Sequence, residues 1–152
     1  MASILYDYAD GKEPNPITSW LQGLPLEQLA QLNLKIKQLK ECGDQILPNF
    51  VTAAVGSVDV QEIKVNGRMA LRLLICRGPI DSRLPPQMGK VKAPYPAYEF
   101  TLLFGSEERD NRYVPHDAVK QAENRRLAIV ADNRKREPHV HVRPPNDTGP
   151  TR

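Results

Sequence analysis

The dipeptide Asn66-Gly67 is the feature that most restricts how this chain can fold. Both residues tolerate positive φ, and the pair is the strongest short signal for a two-residue β-hairpin turn. It separates segment 58–65, whose apolar alternation changes phase at Glu62, from a largely apolar segment, 68–77. The core of the second segment is apolar except for Arg72. Such a nearly continuous apolar run is typical of a strand covered on both faces. The centre of the chain is therefore predicted to be an antiparallel strand pair within a larger sheet.

Helices are predicted on both sides of this hairpin. A short helix is predicted over 17–22 and a longer one over 26–41, each opened by a proline and the second closed by Gly43. The longer helix carries one apolar stripe at three- and four-residue spacing, formed by Leu29, Leu32, Ile36 and Leu39. A third helix is predicted over 115–131. The stripe is the face expected to pack against the sheet.

The remaining segments complete a single domain. Further strands are predicted at 3–8 and 98–105, and the polar segment 106–114 is predicted to be a connector. Five prolines in 78–98 favour an extended loop there. The order strand, two helices, three strands, helix predicts an α+β domain over residues 1–132. Its small, mostly antiparallel sheet would be packed by two N-terminal helices and a C-terminal helix.

The last twenty residues, 133–152, differ from the rest in charge. They hold five basic and two acidic residues, and so account for the whole net charge of +3. Their prolines and polar residues predict a disordered tail, although a basic tail also favours an anionic partner. No apolar stretch approaches the roughly 20 residues that cross a bilayer. We expect a cytoplasmic protein without membrane contact.

Five local patterns together cover about residues 20–130. They are Leu24-Pro25 before a long helix ending at Gly43, QEIKV at 61–65, RMALRLL at 68–74, FTLLFG at 100–105 and PHDAVKQAENRR at 115–126. In their order and spacing they resemble the RelE/ParE superfamily, especially its HigB-like, phage-derived branch. The chain departs from that pattern in two places. Glu107 and Glu108 stand where the family commonly has lysines, and 78–98 is an insertion.

The resemblance implies a RelE-like fold and a toxin of a type II toxin–antitoxin system. Such toxins are ribosome-dependent endoribonucleases that cleave mRNA by attack of a 2′-hydroxyl on the adjacent phosphate. That reaction needs a base, cations that offset charge on the phosphorane, and an acid for the leaving oxygen. No metal or other cofactor is implied. The implied partners are a cognate antitoxin, expected to be a helix-turn-helix protein, together with the ribosome and mRNA.

Arginine suits the cationic role because its planar fork matches phosphate oxygens. The candidate catalytic residues are Arg72, Arg109, Arg112 and His139. The resemblance implies that Arg72 clamps a phosphate; the alternative is a structural ion pair with Glu62 across the hairpin. For Arg109 and Arg112 the alternative is a solvated loop neutralised by neighbouring acids. His139 carries over the role of a C-terminal histidine that some toxins of this class use.

Further arginines are predicted to bind RNA, namely Arg77, Arg125 and Arg126. Two other functions stay open at this point. The first is a catalytically inactive RelE-fold protein that binds a protein partner or the ribosome, which Glu107 and Glu108 favour. The second is a gyrase-inhibiting, ParE-like toxin with the same fold.

Overall fold

The computed structural model describes residues 3–43, 51–53, 57, 59–80 and 99–144. The helices are α1 (Pro16–Gln22), α2 (Leu26–Cys42) and α3 (Ala118–Ala131). The strands are β1 (Ile4–Tyr8), β2 (Val51–Ala53), β3 (Val60–Val65), β4 (Ala70–Arg77), β5 (Glu99–Arg109), β6 (Arg112–Val114) and β7 (Arg136–Pro138). Most of the predicted proline-rich loop, 81–98, lies outside the described residues.

These strands form one sheet in the order β2-β3-β4-β5-β1-β7, with β6 paired to β5. β1 runs parallel to β5, and every other pairing among them is antiparallel. The adjacency predicted for the strands at 58–65, 68–77 and 98–105 is therefore confirmed. The two-residue turn predicted at Asn66-Gly67 is wrong, because Val65 pairs with Leu71 and residues 66–70 lie between them. Asn66 is not among the residues with positive φ, which a two-residue turn of this kind requires. The predicted α+β class with a mostly antiparallel sheet is confirmed as well.

Side chains alternate between the two faces of each strand, and different helices cover the two faces. On one face, which we call the N-terminal face because the N-terminal helices cover it, α1 and α2 pack against Leu71, Leu73 and Ile75 of β4. On the opposite face, which we call the α3 face, α3 packs against a smaller apolar cluster that includes Leu74 and Cys76 of β4. The other members of that cluster include Val60, Leu103, Ala118, Ala122 and Ile129.

The connector predicted over 106–114 is wrong. β5 continues to Arg109, turns at Asp110 and Asn111, and returns as β6. Both turn residues have positive φ, 51° and 64°, a conformation that Asp and Asn tolerate better than other non-glycine residues. The sequence did not indicate this hairpin because its residues, 107–109 and 112–114, are all partly or fully exposed to solvent. Exposed strand positions can carry charged residues, so the segment lacks the apolar pattern used to predict strands. The third helix begins at Ala118 rather than at residue 115.

The predicted disordered tail is wrong for the part that the structure describes. A 3₁₀ turn over Asn133–Lys135 leads into β7, which pairs antiparallel with β1. His139 then donates its backbone N–H to the Leu5 carbonyl, and the Asn33 side chain donates to the Val142 carbonyl. Val142 itself is buried in the main core. Pro138 is compatible with this strand because β7 lies at the sheet edge.

The close approach of α1 to β5 depends on a glycine. A Cβ atom added at Gly105 would lie 1.9 Å from Cδ2 of Trp20, a side chain packed against the main core. We expect Gly105→Ala to lower the free energy of unfolding by about 1–3 kcal/mol, because the indole must move out of its position against β5. Urea melts measure the change.

The matched control is Gly23→Ala, at the C-cap of α1. Its added Cβ would meet only carbonyl oxygens at 3.6 and 3.8 Å, which is ordinary contact. We expect this variant to be as stable as the wild type or up to about 1 kcal/mol more stable. An equal loss of stability in both variants would contradict the Trp20 contact as the cause.

Candidate functional site

Strand alternation brings five polar side chains together on the α3 face, beyond the apolar cluster beneath α3. They are Glu62 and Lys64 of β3, Arg72 of β4, Glu108 of β5 and Tyr113 of β6. On β3 and β4 these residues follow the same alternation as Val60 and Leu74. On β5 and β6, Glu108 lies directly opposite Tyr113. We call these five residues the sheet-face cluster.

Arg72 is the most buried cation of the sheet-face cluster, with a side chain only 5% exposed. Its NH2 lies 3.0 Å from Oε2 of Glu108, and its NH1 donates to the Leu71 carbonyl at 2.8 Å and to Asn66 at 3.4 Å. Its Nε is buried and has no hydrogen-bond partner among the described residues. The ion pair that the sequence suggested with Glu62 is therefore wrong, since Glu108 is the partner.

Glu62 is the second acidic residue of the sheet-face cluster, and it contacts both Tyr113 and Lys64. Tyr113 donates its hydroxyl to Oε2 of Glu62 at 2.5 Å, and Lys64 Nζ lies 3.5 Å from Oε1. Because β4 and β5 lie between β3 and β6, the Tyr113 and Glu62 side chains meet across the width of two strands. Glu62 is buried, whereas Lys64 is 46% exposed. Two carboxylates, a phenol and two cations thus share one small surface.

The positive charge of Arg72 also affects Lys35, which lies outside the sheet-face cluster. Lys35 of α2 donates its ammonium to the Lys64 carbonyl. Burial lowers the pKa of Lys35, and the nearby charge of Arg72 lowers it further. Three basic side chains, Lys35, Lys64 and Arg72, therefore lie at this end of the β3–β4 hairpin, beside the carboxylates of Glu62 and Glu108.

The structure does not bring Arg109 and Arg112 to this cluster. They lie opposite each other at the β5–β6 turn, and strand alternation directs both to the N-terminal face. Glu107, which alternates with Glu108, sits opposite Leu71 of that face and pairs with Arg109 at 2.9 Å. The acidic neighbour thus neutralises Arg109, although Arg109 and Arg112 lie on paired strands rather than in the solvated loop of the alternative interpretation.

His139 also lies away from the sheet-face cluster. Its Nδ1 is 2.8 Å from Oδ1 of Asp7, and both side chains are buried. Asp7 pairs in register with Leu102, which belongs to the N-terminal face. Asn15 donates its amide to Asp7 at 3.2 Å and to Glu137 at 2.6 Å. This polar network ties the C-terminal segment to β1 and to the start of α1, on the other face from Arg72.

The predicted RNA-binding arginines occupy three different environments. Arg77 ends β4, is half-buried and lies opposite Phe100. Arg125 donates to the Leu103 carbonyl at 2.8 Å and stacks on Tyr8 and Phe104, and burial lowers its pKa. Arg126 is buried between Asp59 at 3.3 Å and Glu123 at 3.2 Å. Their RNA contacts stay a prediction.

Sequence reasoning did not identify Lys64, Glu108 and Tyr113 as site residues. For Lys64 a signal was available, because its spacing of two from Glu62 places both side chains on one face of a strand. Tyr113 and Glu108 lie in the segment interpreted as a connector, and only the β5–β6 pairing shows that they share a face. These two residues belong to the sheet-face cluster because of how the strands pair, which the pattern of neighbouring residues in the sequence does not indicate.

Comparisons with models of protein families, with curated proteins and with solved structures give no match. Within the described ranges, no group of three or more His, Cys, Asp or Glu side chains is placed to hold a metal ion. Burial raises the pKa of the Cys76 thiol to about 12, so this cysteine is a poor nucleophile. No helix in the described part of the chain is long and apolar enough to cross a membrane.

Proposed function

We propose that this protein has a RelE-like fold and is the toxin of a type II toxin–antitoxin pair, an endoribonuclease that cleaves mRNA on the ribosome. The observation that carries the proposal is the sheet-face cluster, in which the buried Arg72 lies among Lys64, Glu108 and the hydrogen-bonded Glu62–Tyr113 pair. The resemblance to the HigB-like branch supplies the reaction class. The cluster supplies the kinds of groups that this reaction requires.

In the proposed reaction, the Glu62 carboxylate takes the proton of a ribose 2′-hydroxyl. The 2′-oxygen forms a bond to the adjacent phosphorus, and the bond from phosphorus to the 5′-oxygen breaks. Tyr113 gives its proton to that 5′-oxygen, and the proton on Glu62 passes to Tyr113 along the 2.5 Å hydrogen bond between them. The products are a 2′,3′-cyclic phosphate and a 5′-hydroxyl, and both protein groups return to their starting states.

Arg72 and Lys64 offset the negative charge that develops on the phosphorane. Glu108 is 37% exposed and covers the Arg72 guanidinium. In the proposed complex the scissile phosphate replaces this carboxylate, which turns towards solvent. A phosphate can accept two parallel N–H bonds from arginine. The buried Arg72 guanidinium therefore keeps an anionic partner when the phosphate replaces the Glu108 carboxylate.

Induced expression of the full chain in a bacterial host tests the proposal. We expect growth arrest within one or two generations and new mRNA 5′ ends that appear only while translation continues. Primer extension on abundant transcripts measures those ends. Growth arrest with intact mRNA would instead favour the gyrase-inhibiting alternative, and unchanged growth with intact mRNA would contradict a toxin.

A second candidate function is a catalytically inactive protein that binds a protein partner or the ribosome. The observation in its favour is the ion pair between Arg72 and Glu108, with 3.0 Å between NH2 and Oε2, which occupies the proposed phosphate site. This candidate predicts that Glu108→Ala leaves the chain without nuclease activity. The nuclease proposal predicts that Glu108→Ala raises cleavage, since RNA then no longer competes with a carboxylate.

A further inference from the structure

A cavity of about 620 Å³ lies between β1, α2 and the segment that follows β7. Its apolar wall includes Ile4 and Leu5 of β1 and Ala30, Leu34 and Ile36 of α2. Ile4 and Leu34 are 46% and 56% exposed, so apolar surface opens to solvent here. The volume lies within the range of small-molecule sites. The cavity is on the N-terminal face and is therefore separate from the sheet-face cluster.

The ionisable side chains that line this cavity are all basic, and Ser3 and Asn33 are its neutral polar residues. Lys37, Lys40, His139 and His141 line it, and no acidic residue of the described ranges does. Lys37 does pair with Glu41 on the same helix, but 4.0 Å separates Nζ from Oε1 and both side chains are largely exposed. Such an exposed pair is weak and leaves Lys37 able to meet another anion. The lining is therefore complementary to an anion attached to an apolar chain.

His139 is the buried and oriented polar group of the cavity. Its side chain is 8% exposed, and Asp7 holds its Nδ1 at 2.8 Å with a side chain that is itself 1% exposed. A carboxylate on one ring nitrogen fixes the tautomer and the plane of an imidazole. Asp7 therefore holds His139, a lining residue of the cavity, in one orientation.

We propose that this cavity binds a small amphipathic anion, with a straight-chain carboxylate of medium length as its simplest form. The chain packs between Ile4 and Leu34, and the carboxylate lies beside His139, Lys37 and Lys40. Two independent observations carry this assignment: the apolar walls open to solvent, and the ionisable side chains of the lining are all basic. Neither depends on nuclease activity, so this proposal stands or falls apart from the proposed function.

Calorimetric titration of the full chain with octanoate, and with octylammonium as a probe of equal chain length and opposite charge, tests the assignment. We expect saturable binding of octanoate and at least roughly tenfold weaker binding of octylammonium. Equal affinity for the two probes, or no saturable octanoate binding up to about 10 mM, would overturn the proposal.

Variants on exposed residues localise the binding without risk to the core. Combining Lys37→Glu with Lys40→Glu is expected to weaken octanoate binding roughly tenfold, because two attractive charges become repulsive. Leu34→Glu is expected to abolish binding by removing apolar wall. The matched control is Lys12→Glu, an exposed lysine in the loop before α1, which should bind octanoate as the wild type does. Binding that survives both cavity variants would also overturn the proposal.

Discussion

Replacement of Arg72 with alanine is expected to lower mRNA cleavage about a hundredfold and to relieve growth arrest. Arg72 is the buried cation of the sheet-face cluster, and a preorganised cation that meets charge in the transition state contributes on the order of 3 kcal/mol. The substitution leaves Glu108 without its arginine, but this carboxylate is 37% exposed and can be hydrated. Cleavage should therefore fall much further than stability, as single-turnover assays and thermal melts of one sample will show.

Three further variants make this comparison decisive. Arg72→Lys should restore cleavage only in part, because lysine cannot grip a phosphate as a fork. Glu108→Ala should raise cleavage. Arg134→Ala, which removes an exposed arginine paired with Asp132 in the 3₁₀ turn, serves as the matched control. An Arg72→Ala protein that melts at a lower temperature but cleaves like the wild type would make Arg72 a structural residue.

Glu62→Gln is expected to lower cleavage at least about a hundredfold, since a general base contributes roughly that factor or more. Glutamine keeps the shape of the side chain, and its carbonyl oxygen can still accept the Tyr113 hydroxyl. The substitution removes the 3.5 Å ion pair with Lys64, which is 46% exposed, so this pair is weak. Single-turnover cleavage rates of the variant and the wild type measure the effect.

The control for Glu62→Gln is Glu13→Gln, which makes the same change at an exposed position before α1. Tyr113→Phe completes the set, since it removes the acid and the proton return path while Glu62 remains. Cleavage by Glu62→Gln within about threefold of the wild type would show that the buried carboxylate only anchors Tyr113.

Local patterns predicted the elements that the main core is built from. The hairpin predicted around Asn66-Gly67 does pair β3 with β4, although five residues rather than two separate their last pair, and the stripe of Leu29, Leu32, Ile36 and Leu39 is the buried face of α2. Both predictions depend only on residues that are close together in the sequence. The parallel pairing of β1 with β5 joins segments far apart in the sequence, and strand composition does not encode which partner a strand chooses.

The candidate site was harder to predict because it depends on register. Arg72 stood out because a charge on an apolar strand needs a partner, but that partner is Glu108 on the next strand rather than Glu62. Arg109 is one residue from Glu108, and the period of two in a strand sends it to the other face. Composition likewise misled for the C-terminal segment, because a three-residue edge strand, the buried Val142 and hydrogen bonds from residues distant in sequence hold it.

The chemistry of the cleaved RNA ends most directly tests whether this protein is a nuclease of the proposed kind. Ribosomes stalled on a synthetic mRNA are incubated with the full chain, and the products are examined for their terminal groups. We expect a 2′,3′-cyclic phosphate and a 5′-hydroxyl, and no cleavage when the ribose on the 5′ side of the scissile phosphate is replaced by 2′-deoxyribose. Cleavage of the deoxy-substituted mRNA at the same position, or products with a 5′-phosphate, would contradict the proposed mechanism.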